Sequence, residues 1–286
     1  MCYYKRMNIL RNLILATLMF GIAFSLSLPT FAQEGPGHTS AGGGPPQAAA
    51  PQGPGPIAPN RPGFTNGSAT IAPGDALAEN GVALSQMPAS AGGVATLDYP
   101  ETALRIGVTP ALEADVSLPD YFHVRGGDHG LGDGAIGVKY RFYQSKDGNT
   151  KASAAPSLSL PTHTAFSSGK LDPTLLLGVQ TASGSRWSLS SNLVLSNPTL
   201  NTPDQGARRV FTTTVSGSAA YTLTPKLSAY VDAYDIVPRQ GAPVPVADSG
   251  FAYLVNKNLQ LDAEVFVGLG GAAPVRTVAA GISFRL

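Results

Sequence analysis

The segment LQLDAEVFVGL, residues 259–269, has an apolar residue at every second position. Its odd-numbered positions carry only Leu, Ala and Val, whereas Gln260, Asp262 and Glu264 occupy even-numbered ones. Successive side chains of a β-strand point to opposite faces, so the pattern predicts a strand with one apolar and one polar face. A helical period fits the segment less well.

The same alternation recurs along the chain, including its last ten residues, TVAAGISFRL. About twelve such segments follow Gly74, judged by their strand and turn signals. Tight turns such as 146–149 alternate with longer loops rich in Gly and Pro, such as 161–170 and 196–207. Short turns on one rim, long loops on the other and an even strand count are typical of outer-membrane barrels. We therefore predict an all-β fold: a transmembrane antiparallel β-barrel of about twelve strands.

A soluble β-sandwich is the alternative, because its strands also alternate. The predicted strands, however, are longer than the usual five or six residues of soluble sheets. Their polar face carries acids and bases in mid-strand, while the apolar face is almost free of charge. In a membrane barrel the polar face lines the lumen and the apolar face contacts lipid. We expect the apolar face of the last strand to contact the lipid of a bacterial outer membrane.

The amino terminus has the features of a secretory signal peptide, predicted over residues 1–32. Lys5, Arg6 and Arg11 precede an apolar run, and small residues lead to a cleavage site after Ala32. Translation could start at Met1 or at Met7. An uncleaved membrane anchor is the alternative, although the run is short for a membrane span.

The rest of the chain divides into two parts. Residues 33–63 are nearly all Gly, Pro, Ala and Gln, which predicts a disordered periplasmic leader; a ligand segment for a partner or the cell wall is the alternative. Residues 64–286 form the predicted barrel. The single cysteine, Cys2, precedes the cleavage site, which excludes a disulfide-stapled fold. A net charge of +1 without a basic stripe does not favour nucleic-acid binding.

Charged residues on the polar face are the candidate functional residues. They form either a polar path with a selectivity ring or a network that fills a narrow lumen. Two tyrosines on this face could stack against an aromatic solute or simply fill space. The predicted lumen-lining residues are Glu79, Glu101, Arg105, Glu113, Asp115, Lys139, Arg141, Tyr230, Asp232, Tyr234, Asp262, Glu264 and Arg285.

The carboxyl terminus resembles the signature by which the assembly machinery recognises outer-membrane proteins. Ile282, Phe284 and Leu286 share the apolar face of the last strand, with Phe284 two positions from the end. Leu286 stands where a terminal aromatic residue is more common. This similarity implies the barrel assembly machinery as a partner.

Other motifs give weaker signals. The G-x-G-x-x-G match at 132–137 is followed by a strand pattern, VKYRFY, whereas a dinucleotide loop requires a helix. A loop with two histidines and a carboxylate suggests a metal site, but exposed loop histidines are the commoner explanation. A loop with two serines and a histidine suggests a hydrolase, but neither a base within reach of the serine nor a partner that orients this base can be read from the loop. We expect no metal, no cofactor and no enzymatic activity. The residues concerned are His123, Asp128, His129, His163, Ser167 and Ser168.

Seven phrases occur in order from residue 61 to residue 285: RPGF (61–64), LDYPETALRIGVTPALEADVSLP (97–119), GLGDGAIGVKYRF (130–142), LSLPTHT (158–164), AAYTLTPKLSAYVDAY (219–234), DSGFAYLVNKNLQLDAEV (248–265) and GISFR (281–285). With these phrases the chain resembles the outer-membrane transporter family named for the meta-pathway of phenol degradation. His163 departs from the family, which usually has Gly in the Leu-Pro-Thr-Gly phrase. The resemblance implies a barrel for passive passage of small solutes, among them hydrophobic or aromatic ones. A closed barrel with a structural or surface-interaction role is the alternative, and a barrel hydrolase comes third.

Overall fold

The computed structural model of the protein describes residues 55–89, 92–202 and 206–286. The predicted signal peptide and residues 33–54 of the predicted leader lie outside these ranges. No helix in the described residues is long and apolar enough to cross a membrane. The strands are β1 (Ala76–Gln86), β2 (Ala95–Thr109), β3 (Leu112–Ser117), β4 (Tyr121–Val124), β5 (His129–Leu131), β6 (Gly134–Gln144), β7 (Thr150–Leu160), β8 (Pro173–Ser183), β9 (Trp187–Ser196), β10 (Thr199–Thr202), β11 (Gly206–Arg209), β12 (Thr212–Thr224), β13 (Leu227–Pro238), β14 (Val244–Asn256), β15 (Leu259–Gly268) and β16 (Arg276–Arg285).

The main sheet closes into a barrel because β1 pairs with both β16 and β2. Strands β3 and β4 pair with the same edge of β2 and form one interrupted wall strand. Strands β5 and β6 form the next one. Counting each interrupted strand once gives twelve antiparallel wall strands, which confirms the predicted fold class. The interruption between β3 and β4 contains Pro119, which has no N–H to donate to a ladder.

The outward positions of the wall strands form an apolar belt. Tyr140 and Phe142 on β6 are 52% and 55% exposed, and Val278 and Ile282 on β16 are 49% and 40% exposed. In water such a surface would be unfavourable, whereas in a bilayer it contacts acyl chains. The apolar face of the last strand therefore faces lipid, as the alternation predicted.

The two rims differ as expected for an outer-membrane barrel. The connections at one rim are short, and both ends of the barrel sequence meet there, since the backbone N–H of Leu286 donates to the carbonyl of Ala76 at 2.9 Å. This is the periplasmic rim. The longer connections lie at the extracellular rim, and the longest folds into a separate two-stranded hairpin of β10 and β11.

Described residues before β1 lie inside the barrel. Ile57, Asn60, Arg61 and Phe64 are all buried. The prediction that the disordered leader extends to residue 63 is therefore wrong for its last part. The Pro- and Gly-rich composition indicated disorder because the segment has no core of its own. Polar side chains of the barrel wall hold it in place.

Candidate functional site

Residues 55–75, which we call the inserted segment, enter and leave the lumen at the periplasmic rim. The N–H of Ile57 donates to the carbonyl of Lys257 in a periplasmic turn at 2.8 Å, and the N–H of Gly74 donates to the carbonyl of Gly107 at 3.0 Å. Between these points the segment passes along the inner wall from β1 past β15, β13, β9 and β8 to β3.

Wall side chains accept hydrogen bonds from the backbone N–H groups of the inserted segment. The carboxylate of Glu79 binds the N–H of Asn60 at 2.9 Å, and Asp232 binds that of Thr65 at 2.7 Å. On β3, the carboxylate of Glu113 accepts a hydrogen bond from the N–H of Ile71 at 2.7 Å. A buried N–H without a partner is costly, so these acceptors stabilise a segment that has no secondary structure of its own.

Arg61 is the charged centre of the inserted segment. Its guanidinium lies 2.7 Å from Glu101, 3.1 Å from Glu264 and 3.4 Å from Asp262, and all four side chains are buried. Burial lowers the pKa of the Arg61 guanidinium, but the three carboxylates outweigh it and raise that pKa above its usual range. Arg61 is therefore a fixed cation that joins β2 and β15 to the segment.

A second cationic centre lies in the wall itself. Arg105 donates to Glu113 at 2.8 Å, to Glu79 at 3.1 Å and to the carbonyl of Ala58 on the inserted segment at 3.0 Å. The ammonium of Lys139 lies 2.9 Å from the same carboxylate oxygen of Glu113. Buried charges of opposite sign are thus arranged in pairs on neighbouring strands, β2, β3 and β6.

The structure places eleven of the thirteen predicted lumen residues together inside the barrel. Arg141 and Arg285 lie instead at the periplasmic rim. Arg141 donates to the carbonyl of Pro110 in a turn, and Arg285 lies 3.2 Å from Asp75 and 2.8 Å from the carbonyl of Gly55. The inward residues are Glu79, Glu101, Arg105, Glu113, Asp115, Lys139, Tyr230, Asp232, Tyr234, Asp262 and Glu264.

Several buried polar residues were missed from the sequence. Asp98 faces inward together with Glu101 because a bulge at Tyr99 and Pro100 shifts the register of β2 by one residue. Asp248 faces inward on β14 beside two valines, so no polar face is apparent there. Arg61 precedes the first strand and has no alternation to reveal it. Asp120 and Gln180 were missed as well, whereas Asn192 and Gln260 lie on predicted polar faces but were not among the candidates.

The extracellular half of the lumen is apolar on the side of β13 to β15, whereas Thr96, Thr212 and Thr214 are buried on other strands. Phe64, at the tip of the inserted segment, stacks on Tyr234 with 3.9 Å between ring centroids. Inward side chains of β13 to β15 surround this pair, and the β10–β11 hairpin closes it from above. This outer apolar cluster consists of Phe64, Ala83, Leu200, Val210, Tyr234, Ile236, Val244, Val246, Phe266, Ala273 and Ala279. A smaller cluster of Ile57, Ile71, Leu77 and Leu254 lies where the segment enters at the periplasmic rim.

One wall position is weakly paired. Strands β6 and β7 pair at Gly137 with Ser157 and at Tyr140 with Ala154, but not at the two positions between. Pro156, in this gap, has no N–H to give to β6. A cavity of about 50 Å³ lies here, lined by Asn60 and Asn66 of the inserted segment and by Asp115, Ser117, Ala135, Ile136, Gly137, Val138, Lys139, Ala155, Pro156, Ser157 and Leu176 of the wall.

The extracellular loop candidates lie apart from the lumen network. His123 and His129 are cross-strand partners in the β4–β5 hairpin, with 6.2 Å between ring centroids. Within the described residues, no group of three metal-ligating side chains is close enough to hold an ion. The hydroxyl of Ser168 donates to the carbonyl of Lys170 at 2.9 Å, which is a loop contact. Residues 134–137 begin β6, so the G-x-G-x-x-G match has the strand context expected from its sequence.

The fold and the lumen define a transmembrane β-barrel of the outer-membrane class whose interior is filled by the inserted segment. The chain belongs to the family described as "MetA-pathway of phenol degradation", whose model matches residues 59–286.

Solved structures share this fold. The COG4313 outer membrane channel from Pseudomonas putida F1 is similar with a TM-score of 0.62 and 10% identity, covering 77% of this chain and 98% of that one. The NanC porin is similar with a TM-score of 0.54 and 7% identity, covering 74% of this chain and 100% of that one. No curated protein sequence matches the chain.

Proposed function

We propose that the barrel allows passive passage of small hydrophobic or aromatic solutes across the outer membrane, without an enzymatic step or a cofactor. The observation that carries this proposal is the outer apolar cluster. Lumens of porins for hydrophilic solutes are polar, whereas here Ile236, Val246 and Phe266 face inward in the extracellular half. A polar solute would lose hydration there and find few partners, such as the hydroxyls of Thr214 and Thr277, while an apolar solute would be stabilised by burial.

The inserted segment and the β10–β11 hairpin bound the outer apolar cluster on its two sides, so a solute that crosses the lumen must pass both. Phe64 and Tyr234 form the floor of the outer apolar cluster, above the network around Arg61. The β10–β11 hairpin covers the cluster with Leu200 and Val210. Entry from outside therefore requires this hairpin to move, and passage to the periplasm requires the segment to move.

The weakly paired wall between β6 and β7 offers an exit past Asp115 and Lys139 that leaves the ion pairs of Arg61 in place. The cavity beside Pro156 contacts both the inserted segment and the outward-facing Ile136 and Val138. A hydrophobic solute that leaves the lumen there would enter the bilayer, where it is soluble. We propose this lateral exit as part of the same function.

The test uses cells that lack the protein and express either the wild type or the variant Val246→Asn/Phe266→Gln. The measured quantity is the initial uptake rate of radiolabelled toluene, with arabinose as the hydrophilic comparison. We expect wild type to raise toluene uptake and the polar variant to reduce it several-fold, because the solute then meets hydrogen-bonding groups in the apolar layer. The apolar variant Val246→Ile/Phe266→Leu is the matched control and should retain uptake.

A closed barrel with a structural or surface role is the second candidate, favoured by the filling of the lumen with residues 57–71. Under that function wild type and empty vector would give equal toluene uptake. Equal uptake by folded wild type and by empty vector would therefore reject transport and leave the structural role.

We also propose that Ile282, Phe284 and Leu286 are recognised by the barrel assembly machinery. In support of this, all three lie on the outward face of the last strand, and Leu286 is 69% exposed at its end. Phe284→Ala should reduce the amount of heat-modifiable barrel in the membrane fraction, whereas Phe251→Ala, on the outward face of β14, should not.

A further inference from the structure

We propose that the extracellular rim carries a binding site for the phosphate groups of an outer-leaflet glycolipid, formed by Lys170, Arg209 and Arg239. These three residues, the outer basic cluster, lie in the loop before β8, at the end of β11 and directly after β13.

Backbone contacts bring the three cations to one part of the rim. Arg209 donates from Nη2 to the carbonyl of Leu171 at 2.7 Å, so its guanidinium lies beside the residue that follows Lys170. The N–H of Arg239 donates to the carbonyl of Phe211 at 2.8 Å, and Phe211 is two residues from Arg209. The cluster therefore comprises the loop before β8, the end of β11 and the end of β13, which these two contacts bring to one part of the rim.

The cluster retains most of its positive charge. Within the described part of the chain, its ion pair is the one between Arg209 and Asp172, at 3.7 Å. The carboxylate of Asp172 already accepts the N–H and the hydroxyl of Thr199, each at 2.7 Å. The Arg209 side chain remains 46% exposed, and Lys170 and Arg239 are exposed as well.

The surface directly below the cluster is apolar and faces outward. Leu171, Phe211 and Val237 are 50%, 46% and 47% exposed. Arg239 follows Val237 by two positions at the end of β13 and therefore shares its outward side, closer to the extracellular medium. Arg209, at the end of β11, reaches the same part of the rim through its contact with the carbonyl of Leu171. The cations thus lie at the level of lipid headgroups, above side chains that contact acyl chains.

This arrangement fits a molecule with phosphates at the headgroup level and acyl chains below. Guanidinium groups bind phosphate through two parallel hydrogen bonds, and Lys adds a point charge. A phosphorylated glycolipid of the outer leaflet supplies both parts. The carboxylate-rich lumen, in contrast, disfavours an anion, so the phosphate is expected on the outer wall and not inside the barrel.

The test is native mass spectrometry of the purified full chain with bisphosphorylated lipid A in detergent. We expect Lys170→Gln/Arg209→Gln/Arg239→Gln to lower the bound fraction by about tenfold or more, since each cation near a lipid surface contributes to binding. Arg239→Gln alone should give a smaller loss while leaving the contact between Arg209 and Leu171 intact. The matched control is Lys146→Gln/Arg186→Gln/Lys226→Gln at the periplasmic rim, which removes the same number of charges and should bind like the wild type.

Any of four outcomes would overturn the proposal. The triple variant could bind lipid A as well as the wild type, or the periplasmic control could lose binding equally, which would show an effect of net charge alone. Dephosphorylated lipid A could bind as tightly as the bisphosphorylated form, which would exclude phosphate recognition. Full displacement by an equal concentration of inorganic phosphate would show a free-phosphate site and would reject the lipid assignment. A boiling-dependent gel shift of each variant establishes that its barrel is folded.

Discussion

Arg61 and Glu101, separated by 40 residues in sequence, form a buried ion pair in the lumen with 2.7 Å between Nη1 and Oε2. Arg61 belongs to the inserted segment and Glu101 to wall strand β2. The same guanidinium contacts Glu264 on β15. One side chain of the segment therefore connects two wall strands that lie on either side of β1 and β16.

Replacing Arg61 by Gln should release the inserted segment. The change leaves three buried carboxylates without their cation, and breaking a buried pair in this way costs roughly 3–5 kcal/mol. The barrel wall is held by its own strand ladders, so we expect a folded barrel with an open periplasmic half. Single-channel conductance in a planar bilayer should rise from small or absent steps to discrete, larger ones.

The control for this prediction is Arg186→Gln. Arg186 is also a cation at the periplasmic side, but its contact is with Tyr221 on wall strand β12. It should leave conductance unchanged. A folded Arg61→Gln barrel with the conductance of the wild type would show that another contact keeps the lumen closed.

Glu113→Gln should act on stability more than on ion selectivity. The Glu113 carboxylate contacts Arg105, Lys139 and the N–H of Ile71, so its neutral amide leaves two buried cations poorly compensated. We expect a loss of roughly 3–5 kcal/mol in the free energy of unfolding, seen as a lower midpoint of the heat-induced gel shift. An unchanged midpoint with a changed reversal potential would instead support a selectivity ring.

The sequence predicted the strands of the barrel wall but not the inserted segment that fills the lumen. Alternation places Glu113 and Glu264 inward because both lie in stretches of strand with an uninterrupted two-residue period. Arg61 lies in a Pro- and Gly-rich segment, where no period exists, and its order arises from contacts made across the lumen. Local composition therefore indicated disorder for residues that tertiary hydrogen bonds hold in place.

The outer apolar cluster was hidden for a related reason. Alternation distinguishes the two faces of a strand only when they differ in polarity. On β14, Val244 and Val246 face inward above Asp248, so the inner face changes from apolar to polar along one strand. Phe64 was placed at the start of the barrel, and nothing in the sequence indicates its stacking on Tyr234.

Asp172→Asn should loosen the hairpin that covers the lumen. Asp172 accepts the N–H and the hydroxyl of Thr199, which fixes the start of β10, and hydrogen bonds to a charged acceptor contribute about 1.5–3 kcal/mol. We expect faster toluene uptake and faster proteolysis within residues 199–209, with unchanged heat-modifiability. Slower uptake would indicate that the hairpin helps to admit the solute.

A reversible cross-link tests the lateral exit. The only native cysteine, Cys2, lies in the predicted signal peptide, so introduced pairs have no competing thiol in the mature chain. Val138→Cys/Pro156→Cys places two thiols across the unpaired positions of β6 and β7. If solutes leave through this part of the wall, oxidation should lower toluene uptake several-fold and reduction should restore it.

The matched pair is Leu193→Cys/Val215→Cys, which joins β9 and β12 at outward positions that are already paired. A disulfide there adds the same covalent constraint to the wall without closing a gap, so oxidation should leave uptake unchanged. Equal loss in both pairs would mean that general stiffening of the barrel limits transport. Full uptake through the oxidised Val138→Cys/Pro156→Cys barrel would place the exit elsewhere, with displacement of the inserted segment as the remaining route to the periplasm.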